Sequence, residues 1–183
     1  MSPHYYFVYT ASAPPNPKGK PLHIERDGIV QAKNPFDAYL QIQEELNAQK
    51  TAYLRHRVHP AVQLTHLFGV DNGESPQDIN TPASYFARLE IVAERYAHGG
   101  SCRVPGSYAH LQFEAPTSAA AEIHLQGDIE RIVAQYRNPR ITRQRFMVVN
   151  QKFDVTSTRK LGVDEPLDLA ALLGDHQALH LHF

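Results

Sequence analysis

The stretch HYYFVYT, residues 4–10, predicts the strand around which the fold is built. Aromatic and β-branched residues dominate this stretch, and both types are enriched in strands. In extended backbone Tyr5, Phe7 and Tyr9 lie on one face, and the residues between them lie on the other. We therefore predict that this segment is a central strand of a sheet.

A loop and a hairpin are predicted next. Residues 11–21, ASAPPNPKGKP, contain four prolines, one glycine and two lysines. Neither a helix nor a strand propagates through this composition, so a mobile loop is predicted. The following run, LHIERDGIVQA, places Arg26, Asp27 and Gly28 between two short β-like segments. This pattern predicts a hairpin near the N terminus.

Three segments carry helix signals. The first begins with Asn34 as the N-cap and extends to residue 50, and the second begins after Thr81 and stops at Gly99. The third covers much of residues 118–137 and is ended by Pro139. The apolar faces predicted for these helices are Phe36, Tyr39, Leu40 and Leu46; Phe86, Leu89, Val92 and Tyr96; and Ile129, Ile132, Val133 and Tyr136.

Alternation and β-branched content predict the remaining strands. They are residues 61–70, residues 108–115 after a loop at 101–107, a hairpin of 141–149 and 152–158, and a last strand at 178–183 that follows a short helix at 166–173. The resulting prediction is an α+β fold with a mixed β-sheet, about three packed helices and hairpins near both ends.

Length and composition predict one globular domain over residues 1–183. The chain is 42% hydrophobic and 20% charged, as in ordinary globular proteins, and has no repeat with a period of 20–50 residues. It lacks an apolar run of membrane-spanning length and a basic leader at its start. Its single cysteine, Cys102, cannot form an internal disulfide. These features predict a cytoplasmic protein without a membrane partner.

Positive charge is concentrated in one part of a chain whose net charge is −1. Between residues 131 and 160 there are eight basic residues and one acid, Asp154, and the rest of the chain has 10 basic and 18 acidic residues. The eight are Arg131, Arg137, Arg140, Arg143, Arg145, Lys152, Arg159 and Lys160. This asymmetry indicates a polyanionic partner or an acidic surface on another protein or subunit.

The arginine-rich run YRNPRITRQRF, residues 136–146, is the candidate binding site. On a regular strand Arg143 and Arg145 share a face about 7 Å apart, which matches adjacent phosphates. The predicted contact residues are Tyr136, Arg137, Arg140, Arg143, Arg145 and Lys152. Arginine binds phosphate oxygens with two N–H groups, and an aromatic ring stacks on bases. The alternative is an exposed strand face whose arginines pair with acids of the same chain.

Catalytic and cofactor signals are weak, so no cofactor is predicted, and a non-catalytic protein is favoured over an enzyme. His180 and His182 lie on one face of the predicted last strand, but they are only two of the three or four ligands that a metal needs. No nucleophile-elbow or phosphate-loop motif is present, and Cys102 is more typical of an inert small residue.

Three functional hypotheses follow from these patterns. The leading one is a small non-catalytic binding or regulatory protein that contacts nucleic acid or a nucleoprotein assembly through residues 131–160. The second is a protein-interaction module, an inhibitor or a self-associating subunit, whose basic strand meets acidic residues. The third is a metal-dependent hydrolase that uses His180 and His182.

Overall fold

The computed structural model describes residues 3–13, 22–55, 61–71, 79–97, 100–153 and 155. This part of the chain contains six strands and two helices. Their bounds are β1 His4–Ala13, β2 Leu22–Gln31, α1 Pro35–Arg55, β3 Ala61–Val70, β4 Ala83–Ala97, β5 Gly100–Ala115, α2 Ser118–Val133 and β6 Arg140–Phe153.

The predicted fold class is wrong in its helix number and in its sheet type. The described residues form two helices instead of about three. All four strand pairs of defined register, β1–β2, β1–β3, β4–β5 and β4–β6, are antiparallel. The fold is therefore dominated by antiparallel strands, and the mixed sheet with three packed helices is not observed.

The segment predicted as the second helix is strand β4. Tyr85 and Leu89 belong to the core beneath α2, whereas Phe86 between them is also fully buried but faces the other way. A strand buried on both faces shows no apolar and polar alternation, and its apolar residues then fit a helical spacing equally well. Thr81 and Pro82, interpreted as a helix start, precede a strand.

Neither predicted turn interrupts its strand. Arg26, Asp27 and Gly28 are part of β2 and pair with β1. Asn150 and Gln151, the predicted turn of the C-terminal hairpin, lie inside the continuous strand β6. The predicted loop at residues 101–107 likewise belongs to a strand, β5. Both predicted hairpins near the ends of the chain are therefore wrong, because the predicted turn of each lies within one longer strand, β2 or β6.

Parts of two predictions fall outside the described residues. Residues 11–13 of the predicted mobile loop form the end of β1, whereas residues 14–21 are not described. The predicted C-terminal helix and last strand, at 166–173 and 178–183, are not described either.

The chain divides into two compact units, and the first comprises Met1–Asn72 and Gln151–Phe183. Its strand β1 pairs with β2 on one side and with β3 on the other, which confirms the predicted central strand. Helix α1 covers one face of these strands, where Ala38 and Ile42 are fully buried in a core that includes Phe7.

Helix α1 begins as its sequence predicts. The backbone N–H of Asp37 donates to the side-chain oxygen of Asn34 at 2.9 Å, so Asn34 is the N-cap. Leu40, predicted on the inner face, is 46% exposed and lies on the outside of the helix.

The second unit comprises Gly73–Asn150. Strand β4 pairs with both β5 and β6, and α2 covers one face, where Ala121 and Leu125 are buried. Thr117 caps α2 by accepting a hydrogen bond from the N–H of Ala120 at 3.1 Å. The predicted third helix is therefore confirmed, but it ends at Val133 before the predicted stop.

The two units repeat one topology. Each consists of two strands, a helix and a third strand, and in each the first strand lies between the other two. Corresponding positions in the two units are about 80 residues apart. This spacing is longer than the repeat period of 20–50 residues for which the sequence was searched. Three pairs of buried residues match across the units: Ala32 with Ala115, Ala38 with Ala121, and Ile42 with Leu125.

The repeat extends to a β-bulge at the same place in each unit. The register of β1 with β3 shifts between Val8 and Tyr9, and Thr65 is the extra residue in β3. The register of β4 with β6 shifts between Arg88 and Leu89, and Gln144 is the extra residue in β6. Bulges redirect the side chains that follow them, so the same change of face occurs in both units.

Gly127 on α2 provides a test of the helix assignment. A Cβ atom built there meets nothing within 4 Å. Gly127→Ala is therefore expected to raise the free energy of unfolding by about 0.5–1 kcal/mol, because glycine is a poor residue within a helix. Urea denaturation followed by circular dichroism measures this difference, and a loss of stability would contradict the helical position.

Candidate nucleic-acid interface

The turn between α2 and β6 presents the arginine-rich run. The backbone N–H of Gln135 donates to the carbonyl of Ile132 at 3.0 Å, and that of Tyr136 donates to the carbonyl of Val133 at 3.3 Å. Asn138 adopts a positive φ of 46°, a conformation that asparagine tolerates better than most residues. These features end the helix and return the chain to the sheet.

Three predicted contact residues, Tyr136, Arg137 and Arg140, are exposed at this turn. Tyr136 and Val133 are each 42% exposed, so their predicted place on the inner face of the helix is wrong. Ile129 and Ile132, predicted with them, do pack against the core. We call Tyr136, Arg137 and Arg140 the turn surface.

Arg143 and Arg145 do not share a face. The bulge at Gln144 places Arg143 opposite Leu89, on the face toward α2, and Arg145 opposite Arg88, on the face away from α2. The geometry predicted for a regular strand, with both guanidinium groups about 7 Å apart on one side, is therefore wrong.

Arg143 forms an ion pair with α2. Its Nη1 atom lies 2.9 and 2.7 Å from the two carboxylate oxygens of Glu122, and its guanidinium carbon lies 5.4 Å from the centre of the Phe146 ring. Both charged side chains are about half exposed, and such pairs contribute little to stability. The contact orients Arg143 at the side of α2 and partly offsets its charge.

Two other basic residues of the segment 131–160, Arg131 and Lys152, lie apart from the turn surface. Arg131 is 72% exposed and pairs with Asp128 on the same helix. Lys152 is exposed near the end of β6 and belongs to the first unit, not to the unit that carries the turn surface. Of the six predicted contact residues, three thus lie at the turn, Arg143 and Arg145 lie on opposite faces of β6, and Lys152 belongs to the other unit.

The sequence did not single out Arg88, which is only 3% exposed on the face away from α2. Its guanidinium carbon lies 3.9 Å from the centre of the Tyr108 ring, a cation–π contact. In a strand, Phe86, Arg88 and Glu90 share one face, so the sequence could have placed Arg88 beside a buried ring. This placement is missed when the segment is interpreted as a helix.

Comparison of the chain with known protein families, with curated proteins and with solved structures finds no match. Among the described residues, no helix is long and apolar enough to span a bilayer. What the chain binds must therefore be inferred from its own residues.

The described residues contain no group of three or more histidine, cysteine, aspartate or glutamate side chains arranged to hold a metal ion. His180 and His182 lie outside the described part, as does the side chain of Cys102, so the metal hypothesis and the thiol stay untested.

Two surface cavities lie near the end of the second strand of each unit, β2 or β5. One, of about 510 Å³, is lined by Ser84 and Glu114 among prolines and alanines, and the other, of about 440 Å³, by Lys33 and Asp37 with uncharged neighbours. Their volumes suit small ligands. Their linings correspond only in part, because the first includes the start of β4 and no residue of α2, whereas the second includes Asp37, Leu40 and Gln41 of α1.

Buried tyrosines do not supply a catalytic base. Burial raises the pKa of the Tyr39 and Tyr85 hydroxyls, and burial together with the charge of Asp37 raises that of Tyr5. Desolvation disfavours the phenolate, so these side chains stay neutral at physiological pH. Their rings belong to the two cores, where their role is packing.

Proposed function

We propose that the protein is a non-catalytic nucleic-acid-binding protein whose turn surface contacts the phosphate backbone. The observation that carries this proposal is the shared exposure of Tyr136, Arg137 and Arg140 at one end of α2. The stretch from residue 131 to residue 153 contains six basic residues and no acidic residue.

The side chains of the turn surface suit binding to single-stranded nucleic acid. Arginine donates two hydrogen bonds to a phosphate and releases counterions on binding, and an exposed tyrosine ring offers a base a stacking partner. Arg143 lies at the side of α2 and adds a further, partly neutralised positive charge. A cytoplasmic location is part of the proposal, and the single cysteine of the chain supports it.

The proposal predicts a reduced salt dependence when the turn surface loses its charges. Arg137→Gln with Arg140→Gln is expected to weaken binding of a labelled single-stranded oligonucleotide and to flatten its slope against salt by about 1.4 units, roughly 0.7 for each phosphate that is no longer neutralised. Fluorescence anisotropy across a series of salt concentrations measures both quantities.

A variant with the same change in net charge is the control. Lys33→Gln with Lys50→Gln removes two cations from the first unit, and its salt slope should stay close to that of the unaltered protein. If both double variants bind alike, or if the unaltered protein binds no oligonucleotide at low salt, the turn surface is not a nucleic-acid contact.

A second candidate is a protein-interaction module, and the exposed apolar side chains of α2 favour it. Ile123 is 76% exposed on α2, and Val133 is exposed next to Tyr136. Aromatic residues, together with arginine, are enriched at protein interfaces. Binding to an acidic protein, with no binding to any oligonucleotide, would favour this candidate.

A further inference from the structure

Strand β5 is an outer strand of the second unit. Among the residues that the structure describes, it pairs with β4 and with no other strand. Residues 107–115 pair with β4 without interruption, from Ser107 opposite Ile91 to Ala115 opposite Ala83. Alternate residues of an edge strand direct their backbone N–H and C=O groups away from the sheet, where another strand can pair with them. We call residues 107–115 the β5 edge.

The β5 edge lacks the charges that commonly protect an edge strand. Apart from His110, its only acidic or basic residue is Glu114, near its end. The second strand of the first unit, β2, has Glu25, Arg26 and Asp27 in its middle. Charged residues on an edge strand oppose pairing with another chain. Because the two units share one topology, this difference between their outer strands is not imposed by the fold.

Apolar side chains of the β5 edge are incompletely buried. Ala109, Leu111 and Phe113 pack against the core beneath α2, but each is only partly buried. Leu89 on the neighbouring strand β4, which has a strand on each side, is fully buried in the same core. A further strand at the β5 edge would remove more of this apolar surface from water, and that removal favours association.

We propose that two copies of the chain associate through the β5 edge, as antiparallel strands related by a twofold axis. An axis perpendicular to the sheet keeps every side chain on its own face, so the numbers of two facing residues have an even sum. With the axis at Gln112, Leu111 of each copy faces Phe113 of the other. Glu114 then faces His110, so no like charges lie directly opposite one another.

The middle of β2 is not complementary to itself in this way. An axis at Arg26 places the two Arg26 side chains opposite each other and Glu25 opposite Asp27. An axis at Glu25 or at Asp27 places two acids opposite each other. Like charges directly opposite destabilise a pair of strands. The association is therefore assigned to β5, and its partner is a second copy of the chain because the β5 edge is complementary to itself.

Sedimentation velocity of the full chain measures this association. Two paired edge strands bury less surface than a standard protein interface, so the dimer should dissociate within a concentration range of about 1 to 100 μM. The sedimentation coefficient is expected to rise with concentration from that of a monomer toward that of a dimer. A monomer at every concentration overturns the proposal.

Gln112→Lys with Glu114→Lys is the variant that should disrupt the dimer. Both side chains are exposed, so the fold should tolerate the two replacements. In the dimer two lysines would face each other at the axis, and a lysine would face His110 on either side of it. The dissociation constant of the dimer should therefore rise at least about fivefold.

Gln31→Lys with Glu25→Lys makes the same two replacements on β2 and is the matched control. Its dissociation constant should stay within about twofold of that of the unaltered protein. Equal weakening in both double variants, or weakening in neither, overturns the proposal. Circular dichroism checks that each variant folds. If the β5 double variant does not fold, Gln112→Lys alone takes its place, with weaker association as the expected result and unchanged association as the contrary one.

Discussion

Replacing Leu125 with alanine is expected to lower the free energy of unfolding by about 2–5 kcal/mol. Leu125 is 1% exposed and packs from α2 against the core of the second unit. The substitution removes buried apolar surface and leaves a cavity that the neighbouring rings of β4 and β6 cannot easily fill. Chemical denaturation followed by circular dichroism gives the difference.

Ile123→Ala is the matched control for this prediction. It lies two residues away on the same helix but is 76% exposed, so its effect should stay within about 0.5 kcal/mol. Equal losses from the two variants would mean that α2 does not pack through Leu125, and the position of the second core would have to be revised.

Introducing a side chain at Gly28 is expected to be the second large effect. A Cβ atom there would lie 2.6 Å from the tip of the Phe7 ring, and Phe7 is fully buried on the neighbouring strand. Such a contact is shorter than atoms allow, so Gly28→Ala must displace the ring within a packed core. Overpacking of this kind costs about 1–3 kcal/mol.

A double-mutant cycle separates the ring clash from a change in backbone preference. Phe7→Leu shortens the side chain that meets Gly28, so the double variant should lose less stability than the sum of the two single variants. The expected coupling is about 0.5–3 kcal/mol. Strict additivity would place the cost of Gly28→Ala in the backbone of β2 and away from Phe7.

Short stretches of sequence correctly predicted the strand of clear β composition and the helices whose starts are marked by the local sequence. The central strand follows from the aromatic stretch at residues 4–10, and the helix starts follow from Asn34 and from the alanine-rich run after Thr117. Capping depends on a side chain and a backbone group three residues apart, so it is visible in a short window.

Signals failed where long-range pairing decides the structure. Strand β4 is buried on both faces, and its neighbours in the sheet come from later parts of the chain. Gly28, interpreted as a turn, is required by the Phe7 ring about twenty residues earlier. Neither the strands that pair with β4 nor the ring that contacts Gly28 can be identified from the local sequence. Tertiary packing overrides local strand propensity at these positions.

The candidate site was predicted in composition but not in geometry. Arg137 and Arg140 lie exposed as expected, whereas one inserted residue, Gln144, separates Arg143 from Arg145. A side-chain period of two makes every prediction about faces sensitive to a single bulge. The alignment of His110, Arg88 and Arg145 across three strands could not be predicted, because each residue comes from a different part of the chain.

The repeated topology also has an evolutionary consequence. The chain contains two versions of the unit. The first keeps an apolar residue, Val8, in the middle of its central strand, so it can stay folded while the second unit changes in sequence. Buried arginine is a costly substitution that a lone unit near its stability threshold would tolerate poorly. A chain with two such units therefore tolerates the buried Arg88 in one of them more readily than a single unit would.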